Sequence, residues 1–144
     1  MAGRLQPVKA TGKVLYGPRR ALVCGYAQAD QLALLAMMER FGFQDVPAVF
    51  AGAGEAEKTL AEILALPGGH GQGADSDLPR AVILSGIKEK ELHTFMAAWK
   101  HLGLPPQFWA CLTPTSETWT LTALLAELEH ERQTLAARRA DAGQ

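Results

Sequence analysis

A hydroxyl-rich turn at residues 113–119 is the part of this chain best suited, by residue type and spacing, to bind a ligand. Its sequence, TPTSETW, places hydroxyl side chains at positions 113, 115, 116 and 118, between an apolar run and an amphipathic segment. Hydroxyl groups beside a helix N-terminus can bind a phosphate or a carboxylate, because the helix dipole and the free N–H groups favour negative charge. The same hydroxyls can instead cap the helix without any ligand, and both interpretations stay open here.

Other polar residues follow the ends of two further apolar runs. In open α/β sheets, ligands bind at the carboxyl ends of strands, where neighbouring crossovers leave in opposite directions. The sequence predicts that this point lies between the first and third strands, with the fourth strand beside it. The predicted ligand-binding residues are Tyr26, Ser85, Gly86, Thr113, Thr115 and Ser116, while Thr118 is expected to cap the last helix. We expect a small anionic ligand and no cofactor.

Known catalytic and cofactor motifs are matched poorly. Ser85 and Lys88 have S-x-x-K spacing, but the chain lacks the S-D-N and K-T-G partners of the serine enzymes that use it. The glycines at 52 and 54 precede Glu57, whose carboxylate would repel a pyrophosphate at the third glycine position of a dinucleotide fingerprint. No P-loop string occurs. The sequence therefore predicts no catalytic residue, and it favours an enzyme less than a ligand-binding domain or an interaction module.

The histidines and cysteines do not indicate a metal site. None of the four histidines has a second potential ligand three or four residues further on. Cys24 and Cys111 lie in apolar runs and have no C-x-x-C neighbour, so we expect both to behave as small buried apolar residues.

Composition is that of an ordinary globular domain. The chain has 144 residues, 48% of them hydrophobic and 20% charged, with a net charge of −1. The longest uncharged apolar runs are shorter than ten residues, against the roughly 20 that cross a bilayer. We therefore expect no membrane association and a cytoplasmic location.

The first twenty residues are basic. They contain five Lys or Arg residues and no acid, but the charges are thinly spread and only one aromatic side chain, Tyr16, lies among them, which does not favour nucleic-acid binding. The sequence predicts three regions. Residues 1–19 form a basic arm, either flexible or an extra edge strand; residues 20–136 form an α/β domain; and residues 137–144 form a disordered tail.

Four short apolar runs alternate with helical stripes from residue 21 onward. This alternation predicts a single three-layer α/β/α domain with a four-stranded, mainly parallel sheet, and the strand order 2-1-3-4 is the most economical. Pro47 suits an edge strand, and Trp109 falls in the strand at the other edge. We expect the first and last helices on one face and the second and third on the other. The runs are Ala21–Cys24, Val46–Ala51, Ala81–Leu84 and Phe108–Leu112.

Three finer features are also predicted. The first helix should bury Leu34, Met37, Met38 and Phe41, which recur with helical spacing. The glycine-rich segment 67–79 should be an exposed surface loop. Residues 14–16 could pair as an extra strand against the first run.

Three segments carry a family resemblance: Val23–Tyr26, Leu78–Pro105 and Trp109–Leu128, with TPTSE-x-W as the most specific string. Together they resemble the small bacterial family known as domain of unknown function 3783, over roughly residues 20 to 135. The resemblance implies a compact α/β domain of bacterial origin. The family has no established activity, so it implies no catalytic role for any residue.

Two functions follow from these observations. The first is binding of an anion or another small ligand at the carboxyl ends of the strands. The alternative is a non-catalytic interaction module, a homodimer formed through the Trp109 edge strand and the last helix.

Overall fold

A computed structural model describes residues 13–142, along which four strands and four α-helices alternate. The predicted fold class, a single α/β domain, is confirmed. Short 3-10 turns at Ala53–Glu55 and Ser116–Thr118 precede the second and fourth helices. The strands are β1 (Arg20–Cys24), β2 (Ala48–Ala51), β3 (Ala81–Ser85) and β4 (Phe108–Cys111). The helices are α1 (Gln28–Arg40), α2 (Leu60–Leu64), α3 (Glu89–Lys100) and α4 (Leu121–Ala142).

The sheet has the predicted order β2-β1-β3-β4. Strands β1 and β2 are parallel, as are β3 and β4, so the sheet is mainly parallel as predicted. The central pair β1–β3, however, is antiparallel, with Arg20 opposite Ser85 and Cys24 opposite Ala81. Strands β1 and β2 therefore end at one side of the sheet, which we call the β1 end. Strands β3 and β4 end at the opposite side, the β3 end.

The antiparallel centre relates two similar halves, β1-α1-β2-α2 and β3-α3-β4-α4, by an approximate twofold axis perpendicular to the sheet. A constant offset of 61 residues relates equivalent positions: Gly25 to Gly86, and Gly42 to Gly103, all four with positive φ. Thr59 and Thr120, also equivalent by this offset, form an antiparallel bridge with each other. Leu60 N–H donates to Trp119 O and Leu121 N–H donates to Lys58 O, so the contact is reciprocal.

Helices of the two halves share faces differently from the prediction. Helices α1 and α3 pack on one face, and α2 and α4 pack on the other. The predicted grouping assumed four parallel strands. A twofold axis perpendicular to the sheet does not exchange the two faces of the sheet. Equivalent helices, which follow equivalent right-handed crossovers, therefore pack on the same face. The α1/α3 face buries Val23, Leu34, Val82 and Phe95, and the α2/α4 face buries Leu22, Leu60, Ile83 and Leu121.

Helix α1 buries Leu34, Met37 and Met38 as predicted, but Phe41 is 46% exposed. Gly42 adopts a φ of +86° directly after the helix and turns the chain. Phe43 then takes the core position, where its ring packs against Phe95 in a tilted arrangement with the centroids 5.2 Å apart.

The chain before β1 lies across the β3 end. Val14 bridges to Lys88, and Leu15 N–H donates to Ile87 O at 2.8 Å. These residues therefore pair with the segment after β3, not with β1 as the extra-strand alternative required. The remainder of the expected basic arm, residues 1–12, lies outside the described residues.

Helix α4 continues to Ala142, so residues 137–142 of the expected disordered tail are helical. Residues 143–144 lie outside the described part. Among residues 13–142, no helix combines the length and apolarity needed to cross a bilayer.

Candidate functional site

The predicted crevice is divided between the two ends of the sheet. Tyr26 follows β1 and lies at the β1 end. The other predicted residues follow β3 and β4, because β1 runs antiparallel to β3. The structure therefore brings together Ser85, Gly86, Thr113, Thr115 and Ser116 at the β3 end, without Tyr26.

The hydroxyl-rich turn hydrogen-bonds to itself. Thr113 N–H donates to Ser116 Oγ at 3.0 Å, and Ser116 N–H donates to Thr113 Oγ1 at 2.9 Å. Thr115 is exposed, and Thr118 Oγ1 donates to Thr115 O. Thr120, not Thr118, caps α4 by accepting from Ala123 N–H at 3.1 Å. This geometry supports the capping interpretation of the turn, since the hydroxyls of Thr113 and Ser116 satisfy its own backbone.

Replacement of Ser116 by alanine should destabilise the fold by about 1–2 kcal/mol, because it leaves the N–H of Thr113 without an acceptor in a site that is 7% exposed. Thr115→Ala is the matched control at the exposed position, with an expected cost below about 0.5 kcal/mol. Urea unfolding of both variants measures the difference. Equal stabilities would contradict a capping role for Ser116.

Ser85 and Gly86 are covered by the chain that precedes β1. Ser85 is fully buried, and among the described residues its Oγ has no hydrogen-bond partner. A Cβ on Gly17 would lie 2.3 Å from that oxygen, which shows how closely the segment is applied. Gly86 N–H donates to Tyr16 O at 3.0 Å. The β3 end is therefore closed by residues 15–17 rather than open as a crevice.

Tyr26 is buried in a polar cluster at the β1 end. Its hydroxyl donates to Gln107 Oε1 and accepts from Trp99 Nε1 at 2.9 Å. Burial, more than any partner, raises the pKa of the phenol. The Arg80 guanidinium lies 4.2 Å from the ring centroid and pairs with Asp30 at 3.1 Å. These contacts fix the position of the Tyr26 ring at the β1 end.

Arg80 and its equivalent, Arg19, differ in their carboxylate partners. Arg19 binds Glu91 at 2.7 Å and, through Nε and Nη2, Asp45 at 3.0 and 3.1 Å. In the second half Pro106 occupies the position equivalent to Asp45. Nε and Nη2 of Arg80 accordingly have no hydrogen-bond partner among the described residues.

A cavity of about 270 Å³ lies over the carboxyl ends of β1 and β2, beneath the glycine-rich loop. The loop is largely exposed, as predicted, but it is also bound to Gln31, which is 1% exposed. Gly73 N–H donates to Gln31 Oε1, and Gln31 Nε2 donates to Ala74 O, both at 2.8 Å. The lining includes Gly25, Tyr26, Gln31, Gly52, Gly54, Glu55, Gly71, Asp75 and Ser76.

The charged groups that line this cavity are two carboxylates. Glu55 accepts from Gly52 N–H at 2.8 Å and contacts His70 Nε2 at 3.1 Å, and the first of these contacts is the main cause of its lowered pKa. Asp75 accepts from Gln28 N–H at 2.9 Å. Negative charge and backbone polar groups suit a ligand that donates hydrogen bonds rather than an anion.

Neither cysteine is ionised near neutral pH. Burial raises the pKa of Cys24 to about 12 and that of Cys111 to about 11, which disfavours both thiolates. Within residues 13–142 no three His, Cys, Asp or Glu side chains cluster as metal ligands would.

Sequence reasoning missed the cavity, and in particular Gln31 and Asp75. The available signal was the internal repeat. Thr59-Leu60 followed by Ile63-Leu64 matches Thr120-Leu121 followed by Leu124-Leu125 at the 61-residue offset. Recognising two halves would have suggested the antiparallel centre and moved the expected site to the first half.

Residues 80–135 match the family model described as Domain of unknown function (DUF3783). The match confirms the resemblance over this stretch, which begins directly before β3 and ends within α4. It therefore covers the second half as one unit. No curated protein and no solved structure matches the chain.

Proposed function

We propose that the domain binds a small, donor-rich ligand, such as an amine or a polyol, in the cavity at the carboxyl ends of β1 and β2. The observation that carries the proposal is the cavity beneath the glycine-rich loop, at the strand ends where open α/β sheets bind ligands. Its volume of about 270 Å³ is just below the roughly 300 Å³ at which sites for drug-sized molecules begin. The ligand is therefore small.

The lining supports this choice of chemistry. Glycines at positions 25, 52, 54 and 71 expose backbone to the cavity, and no Lys or Arg among residues 13–142 lines it. Amines can pair with the carboxylates of Glu55 and Asp75, whereas phosphate would be repelled by both. Binding of an anion, which the sequence predicts, stays a prediction, and the screen described next also tests it.

A thermal-shift screen of amines, polyols, phosphate and carboxylates tests the proposal. A ligand at 100 times its Kd should stabilise the domain by about 2.7 kcal/mol and raise the unfolding midpoint by several degrees. Gly54→Leu should abolish the rise by filling the cavity. A Cβ at Gly54 meets nothing within 4 Å, so the variant should keep its intrinsic stability.

Ala36→Leu, which introduces the same side chain at an exposed position of α1 away from the cavity, is the control. It should retain the full ligand response. The proposal fails if no amine or polyol shifts the midpoint, or if Gly54→Leu responds as the parent chain does. A response to phosphate alone would favour the anion.

A further inference from the structure

The outer edges of the sheet differ between the two halves. The peptide groups of Ala48 and Phe50 point away from β1, and the glycine-rich loop satisfies them: Gly69 N–H donates to Ala48 O at 2.7 Å and Phe50 N–H donates to His70 O at 2.8 Å. The equivalent residues of β4 are Trp109 and Cys111.

Strand β4 has no such cover among the described residues. Phe108 N–H donates to the carbonyl of Arg80, directly before β3, and Leu112 N–H donates to that of Leu84, within β3. Alternation along the strand therefore turns the peptide groups of Trp109 and Cys111 away from β3. No backbone hydrogen bond within the described part reaches them. An open edge of this kind is a template for a further strand.

A groove accompanies the open edge. Two adjoining cavities of about 440 and 480 Å³ lie between β4 and α4 and share Trp109, Leu128 and Glu131 as lining. Leu135, at the far end of the groove, is 49% exposed. Unpaired backbone and exposed apolar side chains thus lie side by side.

We propose that β4 pairs antiparallel with β4 of a second copy of this chain, forming a continuous eight-stranded sheet in a symmetric dimer. A twofold axis at Ala110 would place Trp109 opposite Cys111 of the second copy and form about four backbone hydrogen bonds. The two α4 helices would lie antiparallel on one face, where their Leu128 and Leu135 side chains meet. This interface is independent of the ligand cavity at the β1 end.

The charges along the groove are what make a second copy the fitting occupant. Arg80 and Arg132 line the cavity at the amino end of β4, Glu127 lines the one at its carboxyl end, and Glu131 lines both, so the amino end keeps a net positive charge and the carboxyl end a net negative one. An antiparallel twofold arrangement places the basic end of each groove against the acidic end of the other. The chain already joins its own halves in this way, through the antiparallel β1–β3 pair.

Sedimentation equilibrium of the full chain over a hundredfold range of concentration tests the proposal. The parent chain should approach twice its monomer mass as concentration rises. Cys111→Pro removes an outward N–H donor without touching the bonds to β3, so it should give a folded monomer. Leu135→Lys, which changes an exposed side chain, should weaken the dimer at least tenfold.

Leu32→Lys is the matched control, because Leu32 is 57% exposed on α1, away from the groove. It should dimerise as the parent chain does, and circular dichroism should show each variant folded. A parent chain that stays monomeric throughout overturns the proposal, as does a Leu135→Lys chain that dimerises unchanged. Dimerisation only after removal of residues 1–12 also overturns it, since the edge would then be occupied by that segment.

Discussion

Alanine at Gly25 or Gly86 is expected to destabilise the domain by about 3 kcal/mol or more, because two costs combine. Both glycines have positive φ, +79° and +64°, which a residue with a Cβ adopts at a penalty. A Cβ on Gly25 would lie 2.5 Å from Leu78 O, and one on Gly86 would lie 2.4 Å from Gly17 O. Both contacts are with backbone, which cannot move aside cheaply.

Gly42→Ala and Gly103→Ala are the matched controls, one in each half. Both positions have positive φ, but a Cβ there meets nothing within 4 Å. Their expected cost is therefore the conformational term alone, about 1–2 kcal/mol. Urea denaturation should order the four variants in two pairs. Gly25 is approached by the segment before β3, and Gly86 by the segment before β1. Similar losses of stability at all four positions would contradict this close approach.

Replacement of Glu91 by glutamine is expected to remove an acid-sensitive part of the stability. The hydrogen bonds from Arg19 are the main reason that the pKa of Glu91 falls from about 4.5 to about 2. A carboxyl whose pKa is lowered in the folded state contributes stability above its unfolded pKa, and this contribution is lost as pH falls from about 4.5 to about 2. The side chain of Arg19 is 29% exposed, so solvent screening limits the contribution to about 1–2 kcal/mol.

Unfolding free energies of the parent chain and Glu91→Gln, measured from pH 6 to pH 2, test this expectation. The two curves should be separated by that amount near neutral pH and should converge toward pH 2. Glu39→Gln, an exposed carboxylate on α1, should leave the curve nearly unchanged. A constant separation at every pH would show that Glu91 acts by packing instead of by its charge.

The strand order could be predicted from particular residues. Pro47 removes a backbone donor and suits the edge, and the apolar Ala81–Leu84 run suits the centre. Strand direction could not be predicted in the same way, because the composition of an apolar run does not indicate whether the strand lies parallel or antiparallel to its neighbour. The connection between Leu64 and Ala81 decides it, since this long segment returns the chain to start β3 at the β1 end.

The error in the candidate site follows from that direction. Tyr26 and Ser85 both follow buried strands, yet they lie at opposite ends of the sheet because β1 and β3 are antiparallel. The side-chain chemistry of the hydroxyl-rich turn was recognisable from sequence. The Ser116 hydroxyl could either bind a ligand or hydrogen-bond to Thr113. Distances of about 3 Å decide between these two roles, and the spacing of residues along the sequence does not determine such distances.

Both functional proposals arise where the two halves differ. The glycine-rich loop closes a cavity over β1 and β2 and covers the outer edge of β2. In the second half, residues 15–17 close the strand ends, but no described residue covers the outer edge of β4. The first half thus offers a small-ligand cavity, and the second offers a strand edge.

Amide hydrogen exchange at Phe50 and Cys111, two equivalent positions of the outer strands, tests this difference most directly. Phe50 N–H, bonded to His70 O, should be protected at every protein concentration. Cys111 N–H should exchange at least tenfold faster in dilute solution and become protected as concentration rises and the second copy binds. Equal protection of both amides in dilute solution would contradict the account, because it would mean that the edge of β4 is already covered within a single chain.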